Sequence, residues 1–433
     1  MAISKITIEE FLTLAKTNLV LDVRSPSEYT HAHIPNAKNL PLFNDEERKI
    51  VGTAYKQQSK QIAIKLGLDF FGKKMRDMVE EVEGLVSSYG LGIAGSNKAS
   101  NIKKNNPSNI LTLESAEKKN DVKKPSTLNF EPSTVLLHCW RGGMRSAGVA
   151  WLLDLYGFKV YTLVGGYKAY RNWVLQQFEK EYHFKIIGGY TGSGKTLILN
   201  ELKNQQHSTI DLEGLVSHKG SALGALGQAK QPTQEMFENL LAKELEVKSR
   251  TTDDRRLTKD YSQKTTEDKQ TIEDDRQQDL YNENSKHNEL TLNFKPSTLN
   301  PIWLEDESQR IGNLQIPMAL WKTMRSSKVY FFDIPFEERL NYLTEEYGVH
   351  KKDELVTAIM RIQKRLGGLE TKTAINFLLE NNFKESFRIL LTYYDKYYLK
   401  GLHNRENATD LIRTIEAGIV NAVVNVELLS INY

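Results

Sequence analysis

The chain has 433 residues, 39% hydrophobic and 26% charged, with a formal net charge of +3. That length implies two or three domains, and so small a charge excess excludes a generally basic nucleic-acid-binding surface, leaving only a local patch. No apolar run approaches the ~20 residues that span a bilayer, and a lone cysteine, Cys139, excludes an internal disulfide.

The chain opens on "MAISKITIEEFLTLAK", whose acids interrupt the apolar pattern, so it does not read as a signal peptide and a cytoplasmic enzyme is expected. "NLVLDVRS", "STVLLHC" and "KVYTLVG" are short buried-type strands. "SAGVAWLLDLYGF" is a largely apolar helix closed by Gly157. A second block opens with the strand "YHFKIIGGY" and later carries "NPIWLEDES" and "KVYFFDIP". Strands alternating with helices predict an α/β fold with a parallel sheet in each block. From about residue 346 the chain reads as helical, with no clear strand. Two polar stretches, 96–132 and 248–300, lack the apolar area to offset chain entropy and read as insertions. They share a phrase, "KPSTLNFEPST" and "TLNFKPSTLN". The expected organisation is 1–180, 181–345 and 346–433.

Two loops carry chemistry. In "HCWRGGMRS", Cys139 follows a strand and Arg145 enters a helix. Gly142 and Gly143 let successive backbone N–H groups turn inward as an anion nest beside the helix N-terminus, where Met144 also lies. That field, with Arg141 and Arg145, predicts a thiolate at the bottom of an oxyanion cradle. A buried, inert cysteine is the alternative. In "GGYTGSGKT", Gly189, Thr191, Gly192, Ser193, Gly194, Lys195 and Thr196 make a full phosphate loop between strand and helix. Its amides and Lys195 hold a diphosphate, and Thr196 is a candidate Mg²⁺ ligand.

Other candidates are less specific. Glu305, Asp306 and Glu307 end a strand, where they hold Mg²⁺ or water or merely keep the strand end soluble. Asp211, Glu213, His218 and Lys219 fall on a loop as substrate-contact candidates. Arg361, Lys364 and Arg365, with Arg361 and Arg365 one helical turn apart, precede the aromatic "YYDKYY". Cations for phosphates and rings for unpaired bases suit RNA, although a solvated helix face reads the same way.

"LVLDVRSPSEYTHAHIPNAKNLPL", with Asp22, Arg24, Glu28, His33, Ile34, Pro35 and Ala37, resembles the opening of a rhodanese domain, and "LVGGYKAY" resembles its close. The Cys-x5-Arg loop is one residue longer than the common sulfurtransferase loop and matches that of phosphatases and arsenate reductases. Rhodanese-like domain followed by phosphate loop, together with "LPLFNDEERKIVGTAYKQ" and "DLEGLVSHKGS", resembles the tRNA 2-selenouridine synthase family. Lys219 departs from it, standing where arginine is more usual.

The resemblance implies a rhodanese-like and a P-loop NTPase-like domain with a helical C-terminal region that contacts tRNA. It implies replacement of sulfur by selenium in wobble 2-thiouridine, with selenophosphate and geranyl diphosphate as cosubstrates and no tightly bound cofactor. Cys139 then carries selenium as a selenyl sulfide while the 142–145 backbone and Arg145 hold the departing phosphate. A Cys-x5-Arg phosphatase, a P-loop kinase with a rhodanese module and a non-catalytic tRNA-binding protein remain open at this point.

Overall fold

The computed structural model describes residues 3–94, 133–249 and 300–431. The expected insertion 96–132, and 248–300 apart from its ends, lie outside the described residues. The chain divides into two compact units, Met1–Trp173 and Val174–Tyr433.

The first unit is built on five strands, β1 (Ser4–Ile6), β2 (Leu19–Asp22), β3 (Lys38–Asn39), β4 (Thr134–His138) and β5 (Lys159–Leu163). They lie in the order β1-β5-β4-β2-β3, and every pairing is parallel. Strand alternation decides what each face receives. Val135, Leu137 and Cys139 point into one apolar core, which the helices Met75–Ala94 and Met144–Tyr156 cover with Val82, Val149 and Leu153. His138 points to the opposite face, among Phe11 and Tyr167. The helix after the cysteine ends at Gly157, whose φ of +116° gives the left-handed cap its N–H needs to reach the Leu153 and Asp154 carbonyls.

The second unit contains β6 (Phe184–Gly189), β7 (Thr209–Ile210), β8 (Ile302–Glu305), the hairpin of β9 (Arg310–Ile311) and β10 (Leu314–Gln315), β11 (Lys328–Asp333) and β12 (Ile412–Glu416). The main sheet runs β12-β11-β6-β8-β7, all parallel, with β6 at its centre. Its C-terminal edge therefore carries the turn after β6, where open α/β sheets bind ligands. The expectation of a strandless tail is corrected by β12, which pairs with β11 from Val329–Ile412 to Asp333–Glu416. "IRTIE" buries only Ile415, as an edge strand does, so its own pattern is too polar to announce it. The remaining tail helices, including Lys352–Arg361, Gly368–Leu379 and Phe383–His403, share a core of Leu355, Ile359, Leu378, Phe387 and Leu391. That core also takes Leu340 and Leu343 from the helix Phe336–Tyr347, so the tail belongs to the second unit.

Candidate functional site

The cysteine loop is held from behind by the "LVGGYKAY" segment. Tyr167 and Lys168 donate their N–H groups to the carbonyls of Cys139 (2.8 Å) and Trp140 (3.0 Å). Contact is so close that only glycine fits: Gly142 has φ +65°, and a Cβ on it would lie 2.6 Å from the Leu163 carbonyl oxygen. Gly166 has φ +58°, and a Cβ there would lie 2.4 Å from the Cys139 carbonyl oxygen. Cys139 Sγ accepts the Gly143 N–H at 3.3 Å and lies 3.3 Å from Ser146 Oγ. The cysteine is 3% exposed, at the base of the loop, while Arg141, Gly143 and Met144 are exposed at its mouth. Burial raises the thiol's pKa. The Ser146 hydroxyl, the N–H groups of Ser146 and Arg141, and the Arg145 charge outweigh it, so the net pKa falls below the ordinary thiol value.

Arg145 donates through Nη1 to Glu28 at 2.9 Å, and Arg48 reaches the other carboxylate oxygen at 3.3 Å. Partial burial works against the Glu28 charge, yet the two guanidinium groups hold its pKa down to about 2. Beneath the loop lies a fully buried ion pair. Arg24 donates through Nε (2.9 Å) and Nη2 (2.6 Å) to Asp22, and through Nη2 to the Ala32 carbonyl at 2.7 Å. Its guanidinium lies 3.8 Å from the Tyr167 ring centroid, and His138 Nδ1 lies 3.8 Å from Asp22.

The phosphate loop curls between β6 and the helix Lys195–Asn204. Lys195 Nζ donates to the Gly189 carbonyl at 3.1 Å. Thr196 Oγ1 donates to Glu213 at 3.0 Å. Ser193 Oγ is buried with no hydrogen-bond partner among the described residues, a polar atom that suits a phosphate oxygen. Thr191 presents its carbonyl to Arg339, which also binds Asp395 through both carboxylate oxygens, at 2.9 and 2.8 Å.

A family model described as the tRNA 2-selenouridine synthase AAA domain matches residues 182–269 and 270–426, more than half of the chain. The chain belongs to the tRNA 2-selenouridine synthase family. A rhodanese-like domain model matches residues 7–65, the segment that carries Glu28. A tRNA 2-selenouridine synthase of Sulfurovum sp. (strain NBC37-1) is 29% identical over 413 residues, covering 88% of this chain and 87% of that protein. One of Hydrogenovibrio crunogenus is 29% identical over 441 residues, covering 94% and 96%. One of Bdellovibrio bacteriovorus is 28% identical over 448 residues, covering 94% of each.

Within this family frame, the other candidates fall into place unequally. Asp211 and Glu213 do not lie on a loop as expected. Asp211 caps the short helix Leu212–Val216 by accepting the Gly214 N–H at 2.6 Å, because an aspartate followed by free amides favours a helix start. Glu213 and Glu307 form a carboxyl pair; burial raises both pKa values, aided by the Asp211 charge for Glu213 and by the Glu213 charge for Glu307. Glu305 is also raised, by burial and by Asp211 and Glu213, and accepts the Leu212 N–H at 3.2 Å. Asp306 turns elsewhere, to Arg405 and to the Tyr398 hydroxyl, which donates at 2.8 Å. So "LEDES" splits: Glu305 and Glu307 join the Thr196 side, and Asp306 anchors the tail.

His218 follows that helix, its pKa lowered by burial and by the Arg361 charge. Lys219 pairs with Glu346 and lies 5.8 Å from the Tyr347 ring centroid. Arg361, Lys364 and Arg365 are exposed but do not share one helix as expected. Arg361 ends Lys352–Arg361, Ile362 breaks the path at φ −101°, ψ 5°, and Lys364 and Arg365 belong to Gln363–Leu366. Of the "YYDKYY" rings, Tyr398 accepts the Gly189 N–H at 3.0 Å and Tyr394 accepts the Ala222 N–H at 2.7 Å. Tyr397 is 50% exposed and keeps a face open to solvent.

Sequence reasoning missed Ser146, three residues past the glycine pair, and the anchoring roles of Tyr398 and Arg339. Only the helical register after Gly143 could have put Ser146 beside the sulfur; the other two contacts span long separations and leave no local signal. Among the described residues, no helix is long and apolar enough to cross a membrane.

Proposed function

We propose that this chain replaces the sulfur of wobble 2-thiouridine in tRNA by selenium. Selenophosphate supplies the selenium, and a geranyl group from geranyl diphosphate is first transferred to the sulfur. The observation that carries the reading is two unlike anion cradles in one member of this family. One closes over a thiol of lowered pKa; the other offers amides, a lysine and hydroxyls but no thiol.

At Gly189–Thr196, the amides and Lys195 stabilise the diphosphate as its bond to the geranyl carbon breaks and the thiouridine sulfur bonds to that carbon. Thr196 and Glu213 would hold Mg²⁺, which supplies positive charge against the diphosphate oxygens. Their oxygens lie 3.0 Å apart beside the Glu305 and Glu307 carboxyls, a hard-oxygen set that suits this ion. Among the described residues no cluster of three or more His, Cys, Asp or Glu is arranged to hold a metal by itself, so substrate phosphate oxygens and water would have to supply the rest of the ligands.

Geranylation turns a thiocarbonyl into a thioether, a better leaving group. Selenium of selenophosphate then bonds to C2, the C2–S bond breaks and geranylthiol departs. Electron balance decides what Cys139 does next. Thiolate attack on selenium makes a selenyl sulfide only if phosphorus leaves as phosphite, two electrons richer. Attack on phosphorus instead breaks the Se–P bond, leaves selenium as selenide on the uridine and puts the phosphoryl group on sulfur, from which water releases phosphate. We assign Cys139 Sγ to that transfer, with the 141–145 amides and Arg145 around the phosphoryl oxygens. Arg361, Lys364 and Arg365 are exposed cations suited to tRNA phosphates.

The test is direct. Protein, 2-thiouridine tRNA, selenophosphate and geranyl diphosphate are incubated and the nucleosides read by mass spectrometry. Lys195→Ala blocks the geranylated nucleoside; Cys139→Ser allows it and blocks selenouridine. Wild-type behaviour of both variants would overturn the assignment.

A further inference from the structure

The helix Ala422–Ile431 buries Asn425, Val426 and Leu429 against the second unit's core. The N-terminal part of its other side is nonetheless apolar: Val423 is 52% and Val424 39% exposed, and Ile419, just before the helix, is 46% exposed, whereas Glu427 and Ser430 meet solvent farther along. A surface helix ordinarily turns polar residues to water, so its first turn is the exception. It does not stand alone. Gly194, the last glycine of the phosphate loop, has φ +73°, and a Cβ there would lie 2.8 Å from a methyl carbon of Val420 and 3.6 Å from Cδ1 of Leu197. Leu197, two residues past Lys195, is itself 38% exposed. The anion cradle therefore runs without a break into exposed hydrocarbon.

We propose that Leu197, Ile419, Val420, Val423 and Val424 form the subsite for the hydrocarbon tail of the diphosphate ester whose head the phosphate loop holds. The chemistry on either side of Gly194 matches the two ends of such an amphiphile, backbone N–H dipoles and the Lys195 charge on one side and alkyl side chains on the other. A nucleotide is a poorer match. The one polar side chain between Gly418 and Val424 is Asn421, whose Oδ1 already accepts the Val424 N–H at 3.1 Å, so side chains here offer a base little to read. The position also follows from the topology. The turn after β12 lies at the same C-terminal sheet edge as the turn after β6, two strands away. This inference rests on the reading of the phosphate loop as a prenyl diphosphate site and adds the residues that select the prenyl chain.

Titration calorimetry on the full chain separates the two. Inorganic diphosphate, dimethylallyl diphosphate, geranyl diphosphate and ATP are compared on wild type, Val423→Asp/Val424→Asp and the milder Val423→Ser/Val424→Ser, each checked for an unchanged unfolding midpoint. Wild type is expected to bind geranyl diphosphate at least about tenfold tighter than inorganic diphosphate, with the five-carbon ester between them, as buried methylenes require. The aspartate pair brings geranyl diphosphate to within about threefold of inorganic diphosphate while leaving the latter's Kd unchanged, and the serine pair falls between. A geranyl preference that survives in both variants overturns the tail subsite and leaves the loop reading standing. No geranyl preference in wild type, with ATP bound tightest, overturns both.

Discussion

Arg145 and Glu28 meet at 2.9 Å, so the cation that closes the cysteine loop is held by a carboxylate from the opening segment of the domain. Arg48 binds the same carboxylate, whose pKa is about 2. A depressed carboxylate contributes stability that is present above its unfolded pKa and is lost as pH falls through the folded value. Glu28→Gln should therefore cost about 1–2 kcal/mol at pH 7, a figure reduced for solvent screening at this partly exposed pair. The gap between variant and wild type should shrink from pH 5 downward and nearly close near pH 2. Urea unfolding across that range reads it, and a pH-independent gap would sink the linkage.

The lowered thiol pKa of Cys139 predicts a thiolate at a pH where a free cysteine is still protonated. The iodoacetamide alkylation rate should reach its plateau at lower pH than free cysteine does. Burial opposes ionisation here and the Ser146 hydroxyl is the largest favourable influence, so Ser146→Ala should move the midpoint upward. A midpoint unmoved by that change removes Ser146 from the site.

Gly166→Ala tests the loop's backing. The added methyl would meet the Cys139 carbonyl at 2.4 Å, in a backbone region side chains rarely adopt. Selenouridine formation should fall by more than about tenfold, since the cradle must shift by several tenths of an ångström. Geranyl diphosphate affinity, measured by calorimetry in parallel, should stay at the wild-type value because the phosphate loop, its proposed site, belongs to the other unit. Equal activity in the variant would show that the loop tolerates the displacement.

Arg24→Met leaves the Asp22 carboxylate buried without its partner, which should destabilise the first unit by about 3–5 kcal/mol. Adding Asp22→Asn removes the stranded charge and should recover most of the loss. Denaturant unfolding followed by tryptophan fluorescence compares the three proteins; no recovery in the double variant would mean that packing against Tyr167, rather than charge, dominates.

Legibility in the sequence followed the range of the interaction. Cys139 and Arg145, or Gly189 and Thr196, lie within one strand-to-helix turn, so residue types at fixed spacing suffice to describe both cradles. The apolar runs of β4, β6, β8 and β11 marked the parallel sheets for the same reason. The edge strand β12 is silent in the sequence because a single buried residue, Ile415, leaves no pattern to read, and Asp211 and Glu213 give no helical signal because a five-residue helix carries too little periodicity.

What the chain order alone determined, then, is which chemistry is present: a thiol in one nest of amides and a lysine in another. Only the tertiary structure decided the neighbours of that chemistry. Glu28 reaches Arg145 from 117 residues away, Tyr398 reaches Gly189 from 209, and Val420 closes on Gly194. Such contacts arise where the sheets bring distant strand ends to one edge, and no local sequence pattern encodes which side chains will meet there.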